Sequence, residues 1–342
     1  MRLVHPQPPI AIAEAPLLRG ELTVPGDHDV ATEEYRVRVH VNRQGFVDRE
    51  WGPKQPGLPR VVVLGDSFVQ AAQVPLEAGF GRQLQAQLSA LGQPAEVLSM
   101  GVPGAGTATE LGVLEQYALP QRPDLVLLGF LVSNDVLNNH PLLEGKDDKP
   151  FFALRDGALV PVDAPAMAAP AWTRGFWAQH SHLIRWVGRT VSTRAVSERK
   201  LALGKGIPLD LRVHDPAPDP TWAEAWTLTD ALIGALAARC EAAGVDFAVL
   251  LFPDSLQATR AGAERARQSW PEAAGWDFAA AQHKIDTIAQ KHAPTLDLLP
   301  ALSAADGGPP LYLAKDGHWT ARGHAVAAEG AAGFVAERLR GR

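Results

Sequence analysis

A serine directly behind an apolar run and a histidine directly ahead of a helix are the residues of this chain best placed to do chemistry. Ser67 lies in Gly65-Asp66-Ser67-Phe68, which follows Val61-Val62-Val63-Leu64; His318 lies in Asp316-Gly317-His318-Trp319, near the other end of the chain. A hydroxyl is a weak nucleophile at neutral pH. It needs a base within hydrogen-bond reach and a third group that holds the base in one tautomer. Ser67, His318 and Asp316 are of the right types for nucleophile, base and orienting carboxylate, and acyl transfer is the chemistry such a set performs.

The elements that must position them can be read from the pattern. Val61 to Leu64, bounded by Pro59 and Gly65, read as a strand buried on both faces, as in parallel sheets covered by helices. Ser67 then sits at the carboxyl end of that strand, the edge where open α/β sheets bind ligands. His318 and Asp316 fall in a loop before a helix from Thr320 to about Leu339, in which Ala325, Ala328, Ala332, Val335 and Leu339 recur at helical spacing. Thr320 suits the N-cap.

From Arg60 the reading is strand, helix (Glu77 to Leu91), strand (Ala95 to Leu98), helix (Thr107 to Leu119) and strand (Asp124 to Phe130). It resumes with a helix from Trp222 to Ala243, a strand Phe247 to Phe252, a helix Phe278 to Lys291 and a last apolar run Thr295 to Leu299. That alternation predicts an α/β fold with a parallel sheet and right-handed crossovers.

With these elements in place, four separated blocks resemble the SGNH/GDSL hydrolases, a family of serine esterases and acyltransferases. They are Gly65-Asp66-Ser67-Phe68, then Ser99 to Thr107 with its glycines, then Val132-Ser133-Asn134-Asp135, and last Asp316-Gly317-His318. Their order agrees with the family. The resemblance implies a flavodoxin-like three-layer α/β/α fold with a central parallel sheet. It implies Ser67 as nucleophile, His318 as base and Asp316 as its carboxylate. The oxyanion hole would be the Ser67 and Gly104 backbone N–H groups with the Asn134 side-chain amide, and no metal or organic cofactor would take part. Donors of this kind are worth roughly 10²–10³ in rate apiece. Two departures stand out: Val132 occupies a position usually held by glycine, and one residue rather than two separates Asp316 from His318. The shorter spacing is similar to the Asp-x-His block of polysaccharide O-acetylation proteins. If Asp316 fails, Asp254 and Asp135 are the alternatives.

Around these blocks the chain divides into an N-terminal extension, 1–58, and an SGNH-type domain, 59–342. The extension is proline-rich and carries one alternating segment, Tyr35 to Val41, expected to be an added strand, with a turn at Asn42 to Gly45. From about 138 to 220 the α/β rhythm breaks. Turn signals at Asp147-Asp148-Lys149-Pro150 and Asp156-Gly157 and an aromatic stretch with Trp172, Phe176, Trp177 and Trp186 suggest an inserted lid or subdomain. A peripheral helical hairpin is the plainer alternative.

Composition narrows the function. At 342 residues, 46% hydrophobic and 20% charged, the chain can bury a large core and is not of disordered type. A net charge of −6 leaves no basic footprint for nucleic acid. Cys240 is the one cysteine, which excludes a disulfide framework and a cysteine zinc site. His180 and His182 lack a third ligand nearby, so no metal site is assigned. Gly101 to Thr107 lacks the Gly-Lys-Ser/Thr ending of a phosphate loop. No membrane span of about 20 apolar residues is present, nor an apolar signal-peptide core after Met1. The sequence as it stands reads as cytoplasmic by default, and a shortened exported protein would look the same.

The expected function is cleavage of a small-molecule or carbohydrate ester through an acyl-enzyme. An O-acyltransferase, with a sugar hydroxyl in place of water, is the neighbouring alternative. A catalytically silent carbohydrate-binding protein is the alternative from another class.

Overall fold

The computed structural model describes residues 18, 23–145, 149–162 and 204–340. Two strands, β1 (Gly26–Ala31) and β2 (Arg36–Val41), precede the main sheet, which begins with β3 (Arg60–Gly65) and continues with β4 (Glu96–Gly101) and β5 (Leu125–Leu131). A second hairpin follows, β6 (Phe151–Arg155) and β7 (Ala158–Val162), and the sheet is completed by β8 (Asp246–Phe252) and β9 (Thr295–Asp297).

The five sheet strands are parallel throughout and lie in the order β4-β3-β5-β8-β9. Counted along the sheet alone this is 2-1-3-4-5, the flavodoxin-like order that the resemblance implies. Every residue of β3, β4 and β5 is buried, because helices cover both faces. Side chains alternate between the two layers, as a pleat of period two requires. Val62, Leu64, Val126, Leu128, Val249 and Leu251 face the helices Thr107–Val113, Pro220–Ala242 and Ala280–Ala289. Val61, Val63, Leu125, Leu127, Ala248 and Leu250 face Phe80–Ala90 and Ala321–Leu339.

Two predicted boundaries shift for local reasons. The helix expected over Thr107 to Leu119 is α-helical to Val113, widens into a π turn over Leu114–Ala118 and ends in the tight turn Leu119–Gln121. Pro120 has no N–H to continue the ladder. The last strand stops at Asp297, whose Oδ1 accepts from Leu299 N at 2.8 Å and starts the helix Leu299–Ala304.

The alternating segment near 36–41 pairs with β1 in an antiparallel hairpin of its own. Its buried valines, Val37, Val39 and Val41, pack with Val47 and Ala72. The chain after the hairpin is sewn into the main body: Phe46 and Trp51, with ring centroids 5.4 Å apart, belong to the core under the Thr107–Val113 helix. Buried Asp48 accepts from Trp51 Nε1 at 2.8 Å and from Ser99 N at 3.0 Å.

Part of the insertion between 138 and 220 is described. Phe151 and Phe152 at the base of the β6–β7 hairpin are buried, and Asp156 and Gly157 make its turn, both with positive φ. Trp172, Phe176, Trp177, Trp186, His180, His182 and Asp147-Asp148 lie outside the described residues.

Phe46 lies in the stretch read as an extension, yet it is 1% exposed. Truncating it to alanine should cost about 3–5 kcal/mol, read as a lowered urea midpoint with unchanged m-value. A midpoint within error of the parent would show that residues 42–58 dock only loosely.

Candidate active site

The four sequence blocks leave the same edge of the sheet, the carboxyl ends of β3, β4 and β5 and the loop before the last helix. Burial along them is almost unbroken, and its interruptions are informative. From residue 60 to 72 Ser67 alone is not buried; from 131 to 140 the exception is Asn134; from 95 to 114 the exceptions are Pro103 and Gly104. Each block reaches the surface where the resemblance places a working group.

Ser67 opens a single helical turn, Ser67–Gln70, capped by Asp66 Oδ1, which accepts from Phe68 N at 2.9 Å. Ser67 Oγ and His318 Nε2 are 2.6 Å apart, and His318 Nδ1 and Asp316 Oδ1 are 2.5 Å apart. An ionised carboxylate can only accept. It therefore holds the proton on Nδ1 and leaves the Nε2 lone pair for the serine hydroxyl. The one-residue gap is geometrically sufficient because Gly317 takes a left-handed φ of 83°, which folds Asp316 back on His318. Phe68 lies against the imidazole, ring centroids 4.9 Å apart, and is itself met edge-on by Trp319 at 5.0 Å.

Asn134 is held by its neighbours. Its Nδ2 donates to Asp66 Oδ2 at 2.8 Å, and its Oδ1 accepts from Asn138 Nδ2 at 2.8 Å. Asn138 Nδ2 also lies 3.1 Å from Gly104 O and 3.2 Å from Ala105 O, so one amide ties the asparagine block to the glycine block. Lys149 Nζ donates to Gly104 O and, at 2.6 Å, to Glu144 Oε1. Gly101 packs against the Ser67–Gln70 turn so closely that a Cβ there would come within 2.1 Å of Gln70 N. Asn138 went unassigned in the sequence, although its place one helical turn after Asn134 puts both on one face.

The alternative acids are engaged elsewhere. Asp254 caps the helix Ser255–Ala258, accepting from Leu256 N and Gln257 N at 3.0 and 3.1 Å, and burial pushes it up to about 6. Asp135 Oδ2 accepts from Leu131 N at 2.8 Å. His324 lies in the helix after His318, buried against Trp319 at 5.4 Å, and burial pushes it down to about 3. It is a neutral packing group. Among the described residues no cluster of His, Cys, Asp or Glu is arranged to hold a metal ion, and no helix is long and apolar enough to cross a membrane.

Residues 215–342 match the model of a family described as "SGNH hydrolase-like domain, acetyltransferase AlgX". The likeness to the SGNH hydrolases holds. No curated protein matches the sequence. Solved structures similar to the chain include an acetyl xylan esterase, AlAXEase, at 14% identity and a TM-score of 0.41, covering 82% of this chain and 97% of that one. TesA is 14% identical with a TM-score of 0.43, covering 82% and 99%. A lipase/acylhydrolase from Enterococcus faecalis is also 14% identical, with a TM-score of 0.41 over 83% and 99%.

Behind the Ser67–Gln70 turn lies a group of buried acids. Burial raises Asp66, against the opposing pull of Phe68 N–H and the Asn134 amide. Glu110 and Asp135 stand well above their ordinary values, for burial first and then for nearby charge, that of Asp66 on Glu110 and those of Glu110 and Asp66 on Asp135. Neither oxygen of Glu110 has a hydrogen-bond partner among the described residues. Folded Glu110 thus keeps a proton that the unfolded chain loses near its ordinary value of 4.5. The unfolded state binds fewer protons above that pH, so this group lowers stability as pH rises. Glu110→Gln should flatten the fall in urea unfolding free energy between pH 5 and pH 8; an unchanged slope would mean that Glu110 is ionised in the fold.

Proposed function

We propose that the protein is a serine esterase that works through an acyl-enzyme on Ser67. The observation that carries this is the unbroken chain Ser67 Oγ, His318 Nε2, His318 Nδ1, Asp316 Oδ1, with steps of 2.6 and 2.5 Å, at a solvent-reaching point of an otherwise buried turn. His318 takes the Ser67 proton as Oγ attacks the ester carbonyl. Asp316 stabilises the imidazolium that forms and keeps it oriented. The Ser67 and Gly104 N–H groups and the second N–H of Asn134 Nδ2, whose first is used on Asp66, are the donors for the oxyanion. His318 then returns the proton to the leaving alcohol. Water attacks the acyl-enzyme with His318 again as base, releasing the acid and free Ser67. Every step is carried by side-chain and backbone groups of this chain.

A second reading shares the first half-reaction. In it a sugar hydroxyl replaces water, and the match to a family described by an acetyltransferase favours it. The two differ in what reaches the acyl-enzyme. Product partition from an activated acetyl ester, with and without oligosaccharide acceptors, separates them.

Hydrolysis of p-nitrophenyl acetate and labelling of Ser67 by a fluorophosphonate are the direct tests of the shared step. Ser67→Ala and His318→Ala should each lower kcat by about 10⁴-fold or more, with Asp316→Ala less severe. Retention of turnover and of fluorophosphonate labelling by Ser67→Ala would exclude this site. Asn134→Ala should lower kcat by about 10²–10³-fold with little change in KM, since the donor acts on charge that appears only in the transition state.

A further inference from the structure

The loop that carries Asp316 and His318 is a small hairpin whose base is closed by its own chain. Leu313 N donates to His318 O at 2.8 Å, Thr320 N to Leu311 O at 2.9 Å, and Tyr312 bridges to Trp319. At its tip, Gly317 N donates to Leu313 O at 3.1 Å and His318 N to Asp316 Oδ1 at 3.3 Å. The two remaining tip donors go to a residue nearly the whole chain away. Glu34 Oε1 accepts from Lys315 N at 2.9 Å, and Glu34 Oε2 accepts from Asp316 N at 2.6 Å. The next residue, Tyr35, directs its hydroxyl at Asp316 Oδ2, the oxygen turned away from His318, at 3.4 Å.

Glu34 and Tyr35 sit where the chain turns from β1 into β2, and the buried face of that hairpin rests on Ala72, just past the nucleophile turn. One element thus reaches both the loop that carries His318 and the chain just past the Ser67 turn. We propose that Glu34 and Tyr35 are positioning residues for Asp316, and through it for His318, so that the N-terminal hairpin completes the active site. The proposal rests on the reading of Ser67, His318 and Asp316 as a triad.

The physical case is one of satisfaction and aim. Two successive backbone N–H groups converging on one carboxylate fix the Asp316 backbone in place. Charge-assisted hydrogen bonds of this sort are shorter and stronger than neutral ones. Because only Gly317 separates Asp316 from His318, an error in the Asp316 backbone passes directly to the imidazole. The arrangement also places the acidic side chain of Glu34 near a second carboxylate, which like charges oppose unless donors compensate; the two N–H groups do so. Burial and the nearby Asp316 charge raise the Tyr35 phenol, which keeps it a donor. The neighbouring Glu33–Lys315 ion pair is different in kind, with side chains 81% and 71% exposed, and pairs of that exposure contribute little.

The test is kinetic, on the full chain, with p-nitrophenyl acetate. Glu34→Ala should lower kcat about 10- to 100-fold, the scale of a misaimed catalytic group, with KM within about twofold, and Glu34→Gln, which keeps an acceptor, should recover part of the loss. Tyr35→Phe should act in the same direction more weakly, and Glu33→Gln should leave kcat unchanged. In an Asp316→Asn background Glu34→Ala should cost less than about twofold more, because residues acting through one group are not additive. The downfield Nδ1 proton resonance of His318 should shift or broaden in Glu34→Ala and stay in place in Glu33→Gln. A wild-type kcat in Glu34→Ala, or an equal loss with and without Asp316, would overturn the proposal while Ser67→Ala remained inactive. Full activity in Ser67→Ala would instead remove the triad beneath it. Should Glu34→Ala fail to fold, Glu34→Gln and Tyr35→Phe carry the same comparison.

Discussion

In a parallel sheet every strand delivers its chain to the same edge, and what happens there depends on where the winding reverses. The order β4-β3-β5-β8-β9 places that reversal between β3 and β5. The segments leaving these two strands part to opposite faces, and the gap between them is where α/β sheets of this kind take ligands. Ser67 follows β3 and Asn134 follows β5, so the two residues flank the gap by topology before any side chain is considered. Asp66 then spans it, capping the serine turn with one oxygen and holding Asn134 with the other.

That bridging role explains why buried acid is tolerated here. Asp66 is 0% exposed, and burying a charge is costly unless it is paired or hydrogen-bonded. Its two oxygens are answered by a backbone N–H and an amide N–H. Burial still raises Asp66, and Glu110 and Asp135, with fewer partners, are raised further toward the neutral form. The Ser67 turn therefore rests on groups whose protonation is biased by packing.

Much of this was legible in the sequence for a plain reason. Strands buried on both faces are continuous apolar runs, and β3, β5 and β8 stand out as such. The turns that bring the candidate residues together were legible because turns at strand ends need particular residue types: Gly65 and Asp66 for the Ser67 turn, Gly317 for the short return from Asp316 to His318. What stayed hidden depends on partners distant in sequence. Nothing about Glu34 or Tyr35 distinguishes them from any polar pair at a hairpin turn until Lys315 and Asp316 are brought beside them. Phe46 and Trp51 were read as part of an appendage because a proline-rich stretch gives no periodicity by which burial can be judged. The π turn at Leu114–Ala118 likewise leaves no mark in helical spacing.

The hydrogen bond between Ser67 and His318 joins residues 251 positions apart, and the contact of Glu34 with Asp316 spans 282. Closing loops of that length is slow to be rewarded by native contacts. During synthesis Ser67 emerges early, while His318 emerges only after all five strands of the sheet. A growing chain therefore carries Ser67 without His318 for most of its time on the ribosome. The Ser67–His318 hydrogen bond therefore arrives together with completion of the fold and belongs to the fully assembled state rather than to any partly folded one.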